Sequence, residues 1–274
     1  MSVPPRSAGA LRLYTDAYAR LRAGEGRGEG GEAELLALPW LKSGPLARAW
    51  GVRARTFDRF VRAVIRPAAR RAAPRRLNIL DLGAGNGWLC HRMALLGHEA
   101  LAVDFRTDAV DGLGASGAYA RHLPRMFGRL AADFAALPLG GRAFDIALFN
   151  ASLHYAEDLG RVLSEAVRLV VRGGRLVILD SPFYSDAASG EAMAAEKRRA
   201  TEATHAALAP GLLALHSIEY LTKERLTEAS RTLGLSWKRR RVLYPFWYEW
   251  RPVAALLGRR RPPSRFDLWE AAVP

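Results

Sequence analysis

Between Leu77 and Phe105 the chain reads LNILDLGAGNGWLCHRMALLGHEALAVDF, and Gly83, Gly85 and Gly87 stand at alternate positions directly after a short apolar run. Glycines so placed let the backbone take positive φ and let a ligand approach where a Cβ would collide. Asp81 precedes them, and Asp104 closes the next apolar run, about 20 residues beyond the turn, where nucleotide-binding α/β units place an acid for ribose hydroxyls. The spacing is selective. A dinucleotide fingerprint needs glycine where Trp88 stands, and a P-loop needs Gly-Lys-Ser/Thr where the chain has Asn86-Gly87-Trp88. Further on, Asp133-Phe134 pairs a hydrogen-bond acceptor with an apolar wall. Asn150 to Tyr155, NASLHY, leaves another apolar run, and in it His154 has two readings: a proton acceptor near neutral pH, or a side chain that holds the turn. His91, His98, His122, His205 and His216 show no metal-ligand spacing, and the one cysteine, Cys90, excludes an intramolecular disulfide and a cysteine-cluster metal site.

The elements that must position these residues are legible from hydrophobic spacing. Leu77 to Leu82, Ala100 to Val103, Arg129 to Asp133, Phe144 to Asn150 and Arg175 to Asp180 read as strands, several of them buried on both faces. Trp88 to Leu96 and Leu159 to Val170 read as helices between them, and the repeating order of strand and helix argues for a parallel sheet covered on both faces. Residues 1–10 are expected to be a frayed tail, followed by a helix from Leu11 to Arg22. The glycine-glutamate stretch 24–32 reads either as a flexible linker or as a mobile loop that closes over a substrate. A longer helix is expected from near Ser43, with Trp50, Phe57, Val61, Val64 and Ile65 on one face. Downstream, an alanine-rich helix from about Gly190 to Leu208 follows a strand end, where it can cover the site. Tyr220 to Leu233 suits a helix, Ser236 to Leu243 an edge strand, Tyr244 to Trp250 an aromatic loop, and Arg265 to Val273 a last strand.

Charge and composition bound the function class. The net charge is +14, yet all but Lys42, Lys197, Lys223 and Lys238 of the 41 basic residues are arginine, a bias that a GC-rich genome produces without any polyanion partner. The runs Lys238 to Arg241 and Arg259 to Arg261 read as a solvated face, or as a surface for an acidic acceptor or a membrane. No apolar stretch reaches the ~18 residues of a membrane span, and the N-terminus lacks the apolar core of a signal peptide, so a cytoplasmic protein is expected.

The turn Asp81-x-Gly83-x-Gly85-x-Gly87, with Asp104 beyond it, resembles the first motif of the class I S-adenosylmethionine-dependent methyltransferases. The resemblance implies a Rossmann-like α/β fold: a seven-stranded sheet, mostly parallel with the last strand antiparallel. Residues 1–75 would be a helical N-terminal extension, and 76–274 the methyltransferase domain with a helical insertion at about 182–215. It also implies S-adenosyl-L-methionine as cofactor, held by Asp81, Gly83, Ala84, Gly85, Gly87, Asp104, Phe105, Asp133, Phe134 and Asn150. The family's Asn-Pro-Pro-Tyr of base-amine enzymes is replaced here by Asn150-Ala151-Ser152, and the cysteine pair of enzymes that methylate pyrimidine carbon is absent, so the small-molecule branch is the better match. The expectation is methyl transfer to oxygen of a small or medium-sized metabolite, with His154 as catalytic base and His154, Tyr155, Tyr184 and Trp247 against the acceptor. No metal is implied. Methylation of RNA or another polyanion, and an inactive cofactor-binding scaffold, are the alternatives; oligomeric state is left open.

Overall fold

A computed structural model describes residues 7–274. Of the expected frayed tail, residues 1–6 lie outside the described residues, and Ser7 already caps the first helix by accepting from the amide of Ala10. Four helices precede the sheet: α1 (Ala8–Gly24), α2 (Gly31–Ala37), α3 (Ala47–Phe60) and α4 (Arg66–Ala72). A wider π turn, Val61–Ile65, joins α3 to α4 immediately before Pro67, whose missing N–H cannot serve a regular helical ladder. The glycine-glutamate stretch connects α1 and α2 through a turn, with Gly26 and Gly28 at positive φ.

The sheet comprises β1 (Asn78–Leu82), β2 (Glu99–Asp104), β3 (Gly128–Ala131), β4 (Phe144–Asn150), β5 (Val170–Leu179), β6 (Lys238–Arg240) and β7 (Leu268–Ala272), in the order β3-β2-β1-β4-β5-β7-β6. The first five strands pair in parallel; β7 runs antiparallel to both β5 and β6. Between them lie α5 (Trp88–Leu95), α6 (Leu159–Leu169), α7 (Ala187–Thr204), α8 (Ala209–Leu212) and α9 (Lys223–Ser230). The expected aromatic loop differs. Residues 246–249 and 251–257 form two short helices, α10 (Phe246–Glu249) and α11 (Arg251–Leu257), because Pro245 and Pro252 sit just before or within a first turn, where a missing N–H costs nothing.

Period-two alternation divides the sheet's side chains between two cores. Ile79 of β1, with Ile146 and Leu148 of β4, faces α3 and α5, whereas Leu80, Leu82, Ala147 and Phe149 face α6 and α9. On the first side Trp88 lies edge-on to Trp50, with ring centroids 5.6 Å apart, and to Phe57 at 5.5 Å. This aromatic cluster seats α3 on the helix that follows the glycine turn. Trp88 is 4% exposed, so Trp88→Ala should lower the free energy of unfolding by about 3–5 kcal/mol, read from urea denaturation. A loss below about 1 kcal/mol would mean that α3 is anchored elsewhere.

Candidate active site

The site begins at the carboxyl end of β1. The amides of Gly83 and Ala84 both donate to the carbonyl of Val103, at 2.8 and 2.9 Å, which folds the turn back across the end of β2. Gly83 has a φ of 80°, and a Cβ there would lie 2.4 Å from the Cβ of Ser152, so the turn touches the loop that leaves β4. Ser152 reciprocates by donating its hydroxyl to the carbonyl of Leu82. Asp104 ends β2 with its two carboxylate oxygens accepting from the amides of Gly85 and Arg106, each at 2.8 Å. Each oxygen keeps a further lone pair for a ligand hydroxyl. Burial raises its pKa, with those amides and the Arg106 charge opposing.

A cleft opens over this turn. Among its walls are Gly83, Ala84, Gly85, Asp104, Phe105, Phe134, Asn150 and Tyr155 of the residues singled out in the sequence. Phe134 is buried edge-on against Phe149. The side-chain oxygen of Asn150 is buried without a hydrogen-bond partner. Asp81, Gly87, Asp133 and His154 stand behind these walls rather than in them. Gly87 starts α5 at positive φ, against the ring of Phe127. Asp133 lies beyond the end of β3, accepting from the amide of Ala135 at 2.9 Å. His154 is half-buried, with its ring 4.3 Å from that of Tyr155 and its Nδ1 unpartnered. Burial first, then the charges of Lys197, Arg53 and Arg22, push its pKa down to about 3. The structure places Tyr184 and Trp247 away from this cleft. Tyr184 accepts from Arg261 beside a separate groove, and Trp247 lies beneath the guanidinium of Arg48, 4.0 Å from its ring centre.

The N-terminal helices complete the cleft with residues that spacing alone did not single out: Tyr14, Tyr18 and Arg22 of α1, Arg27 of the glycine-rich turn, and Trp50 and Arg53 of α3. Arg22 binds Glu25 at 2.7 Å, and Arg27 lies 3.6 Å from Asp111. Arg53 makes no hydrogen bond among the described residues; its guanidinium stands 5.0 Å from the ring centre of Trp50. Burial lowers its pKa, Asp180 at the end of β5 opposing and Arg27 and Arg22 reinforcing the fall. The available signal was positional: Arg22 follows Tyr18, and Arg53 follows Trp50, at helical intervals that share a face.

Tyr14, Tyr18, Arg22, Phe105 and Tyr155 also wall a second chamber of about 530 Å³. The hydroxyls of Tyr18 and Tyr155 meet at 3.1 Å where the two spaces adjoin. The far side of the chamber comes from α7 and the segment after α8. Leu212, Leu213 and Leu215 supply apolar surface, and Lys197 and Arg198 supply positive charge. Lys197 is held by Glu219 at 2.5 Å.

Comparison with known proteins now decides the family of this centre. Residues 80–178 match the methyltransferase domain family. Those residues are a methyltransferase domain. Two relatives are malonyl-(acyl-carrier protein) O-methyltransferases. The one from Yersinia pestis is 31% identical over 96 residues, which cover 35% of this chain and 33% of that protein. The one from Buchnera aphidicola subsp. Baizongia pistaciae is 28% identical over 138 residues, covering 48% and 52%. The matches thus span a third to a half of those relatives' lengths. Magnesium protoporphyrin IX methyltransferase from Synechocystis PCC 6803 superposes with a TM-score of 0.53 at 14% identity, over 90% of this chain and 93% of that one; this likeness concerns the fold.

That Synechocystis enzyme was solved with bound S-adenosyl-L-methionine, and the residues present in this chain fit that cofactor. At Gly83 the cradle has no room for a Cβ, Asp104 has acceptor capacity to spare, the buried oxygen of Asn150 lacks a donor, and Arg53 makes no hydrogen bond to any described residue. Among the described residues no group of three or more His, Cys, Asp or Glu side chains could hold a metal, and no helix is long and apolar enough to cross a membrane.

Asp81 has a different place. It is fully buried beneath the turn, 3.8 Å from the sulfur of Cys90, and its pKa is pushed up to about 8 by burial and then by the charge of Asp104. The folded protein therefore keeps a proton that the unfolded chain releases above about pH 4. Stability from this group is fully present below that pH and is lost as pH rises through about 8. Asp81→Asn removes the ionisation. Its stability relative to the parent should rise by about 2–4 kcal/mol between about pH 4 and pH 7 in denaturant titrations. A difference that stays flat with pH would show that Asp81 is ionised in the fold.

Proposed function

We propose that the protein transfers the methyl group of S-adenosylmethionine to an ionised oxygen, a carboxylate, of a small or medium-sized acid with an apolar body. The observation that carries this reading is the shared wall of the two spaces. Tyr18, Tyr155, Phe105 and Arg22 separate the cleft over the glycine turn from a chamber that combines leucines with Lys197 and Arg198. The names of the two relatives, both O-methyltransferases, support oxygen as the atom methylated. A cytoplasmic setting goes with this reading, since the one cysteine of the chain is free and buried.

Bound S-adenosylmethionine supplies an electrophilic methyl on sulfur, and displacement in line needs only a positioned nucleophile in a site that excludes water. In this proposal Asp104 accepts from the ribose hydroxyls, Phe134 covers one side of the adenine with Asp133 near its edge, and Asn150 and Arg53 take the methionyl amino and carboxylate groups. Gly83, Ala84 and Gly85 offer backbone close to the cofactor, while Asp81 and Gly87 support the turn from behind. Tyr155 walls the acceptor at the meeting of the two spaces.

The role proposed for His154 follows from its electrostatics. An imidazole held near pKa 3 is neutral at pH 7 and too weak a base to ionise an alcohol or phenol. The cations that depress it, Lys197, Arg53 and Arg22, favour an acceptor that arrives already anionic. A carboxylate needs no base. His154 then acts as a neutral support behind Tyr155, packed against its ring.

Arg53→Ala and Asp104→Ala should each weaken S-adenosylmethionine binding about tenfold or more in calorimetry, the loss of a charge-assisted hydrogen bond. Unchanged affinity would remove either residue from the cofactor site. Turnover on a carboxylic-acid acceptor should stay flat between about pH 6 and pH 8, and His154→Gln should retain most of it. A fall of about a hundredfold in His154→Gln, with cofactor affinity intact, would restore His154 as the base and point to a hydroxyl acceptor.

A further inference from the structure

The segment 243–261 serves neither of the two spaces just described, and it carries an unusual surface. Helices α10 and α11 are continuous in their hydrogen bonding: the amide of Trp250 donates to the carbonyl of Phe246 at 2.9 Å, and that of Ala254 to Trp250 at 3.0 Å. Phe246, Trp250, Val253 and Leu257 therefore recur on one helical stripe at intervals of three and four. The rings of Phe246 and Trp250 stack at 5.6 Å across the junction, which confirms the shared side. The stripe is unpartnered. Phe246 is 77% exposed, Leu257 76%, and the adjoining Leu256 and Leu243 are 78% and 76% exposed.

Charge flanks this apolar stripe. The amides of Arg259 and Arg260 fold back to the carbonyls of Leu256 and Ala255, at 3.1 and 2.8 Å, so both arginines sit beside the exposed leucines. Both are exposed and make no ion pair with any described residue. From Phe246 to Pro263 the one acidic residue is Glu249, which is already engaged by Arg265 at 2.8 Å. Trp247 and Trp250 are partly exposed, as indoles at a water–hydrocarbon boundary are.

We propose that the α10–α11 face docks the protein on an anionic lipid bilayer, its apolar stripe entering the acyl boundary while Arg259 and Arg260 meet the headgroups. A bilayer supplies both things this face lacks, hydrocarbon and negative charge. A second copy supplies only the first: an isologous contact would set the same arginines against each other with no free carboxylate between them. An acidic protein surface supplies charge, but leaves the exposed leucines and phenylalanine without an apolar counterpart. This inference is independent of the acceptor's identity, since none of these residues lines the cofactor cleft or the adjoining chamber.

The test is flotation of the full chain with vesicles of phosphatidylcholine alone and of equimolar phosphatidylcholine and phosphatidylglycerol. The chain should float with the anionic vesicles and not with the neutral ones. Leu256→Ser with Leu257→Ser should lower the partition coefficient about tenfold or more by removing inserted apolar surface. Arg259→Gln with Arg260→Gln should lower it about tenfold. Both variants alter exposed side chains, and S-adenosylmethionine affinity at the parental level would certify their folds. Three outcomes would overturn the proposal: no flotation with anionic vesicles, flotation indifferent to the leucine changes, or a concentration-dependent dimer that the leucine changes abolish while vesicles are ignored. The second would mean simple adsorption of a basic protein, and the third would assign the face to self-association.

Discussion

The close approach of Gly83 to Ser152 is the constraint on which the rest of the structure depends. β1 and β4 are neighbours at the centre of the sheet, and the chain leaves them toward opposite sides, which opens a crevice at their carboxyl ends. For a ligand to lie in that crevice, both departing loops must stay low and rigid. Gly83 permits this because it has no Cβ to meet Ser152, and Ser152 ties the second loop to the carbonyl of Leu82. The turn after β1 is fixed on its other side by two amides donating to Val103. With both loops set, Asp104 and Asn150 stand on either side of the crevice, and Asp104 is held there by the amides of Gly85 and Arg106.

The electrostatics of the site follow from the same compactness. Asp81 lies under the turn in a space too dry to ionise it at neutral pH, so only Asp104 contributes a carboxylate at the floor of the cleft. Above, α1 and α3 bring Arg22, Arg27 and Arg53 toward that floor. Arg22 and Arg27 find Glu25 and Asp111, whereas Arg53 feels Asp180 without a hydrogen bond to any described residue. His154 stays neutral first because of burial, and then because Lys197 of α7, with Arg53 and Arg22 of the N-terminal helices, opposes its protonation. The cations that make the cleft receptive to an anion thus add to a loss of basicity that burial begins.

The parts of this arrangement that were legible in the sequence are those encoded by neighbouring residues. Alternating glycines after an apolar run specify a strand followed by a turn at positive φ, and Asp104 closes the next strand within the same local unit. The seven-stranded sheet with its antiparallel β7 also followed from the order of apolar runs and the family resemblance. Arg53 and Tyr18 were not legible, because their relation to the turn is set by the docking of helices more than 20 residues away in sequence through Trp50, Phe57 and Trp88. The segment 244–250 misled for a different reason. Aromatic residues between prolines suit a loop as well as a short helix, and only tertiary contacts such as the bond of Tyr244 to Thr56 at 2.8 Å select one. The outward turn of Phe246 and Trp250 has no local signature at all.

The excess of arginine is better understood by location than by sum. One set closes the sheet edge: Arg239 meets buried Asp267 at 2.5 Å, Arg240 meets buried Glu270 at 2.6 Å, and Arg265 bridges Glu249 and Asp267. In the pairs with Asp267 and Glu270 the buried member is the acid, and the arginines that neutralise it reach in from more exposed positions. A second set faces the cofactor cleft and the chamber beside it. A third, Arg259 and Arg260, is exposed next to apolar side chains. The third resembles what a net charge of +14 suggests, a surface awaiting an anionic partner, as do the exposed Arg66, Arg70 and Arg71 of α4, but its apolar surroundings set it apart from a track along a nucleic-acid backbone. Arg261 joins these regions, since it binds Glu196 of α7 at 2.8 Å, and α7 carries the Lys197 that lines the chamber. The helix over the acceptor space and the basic end of the exposed face are thus mechanically adjacent.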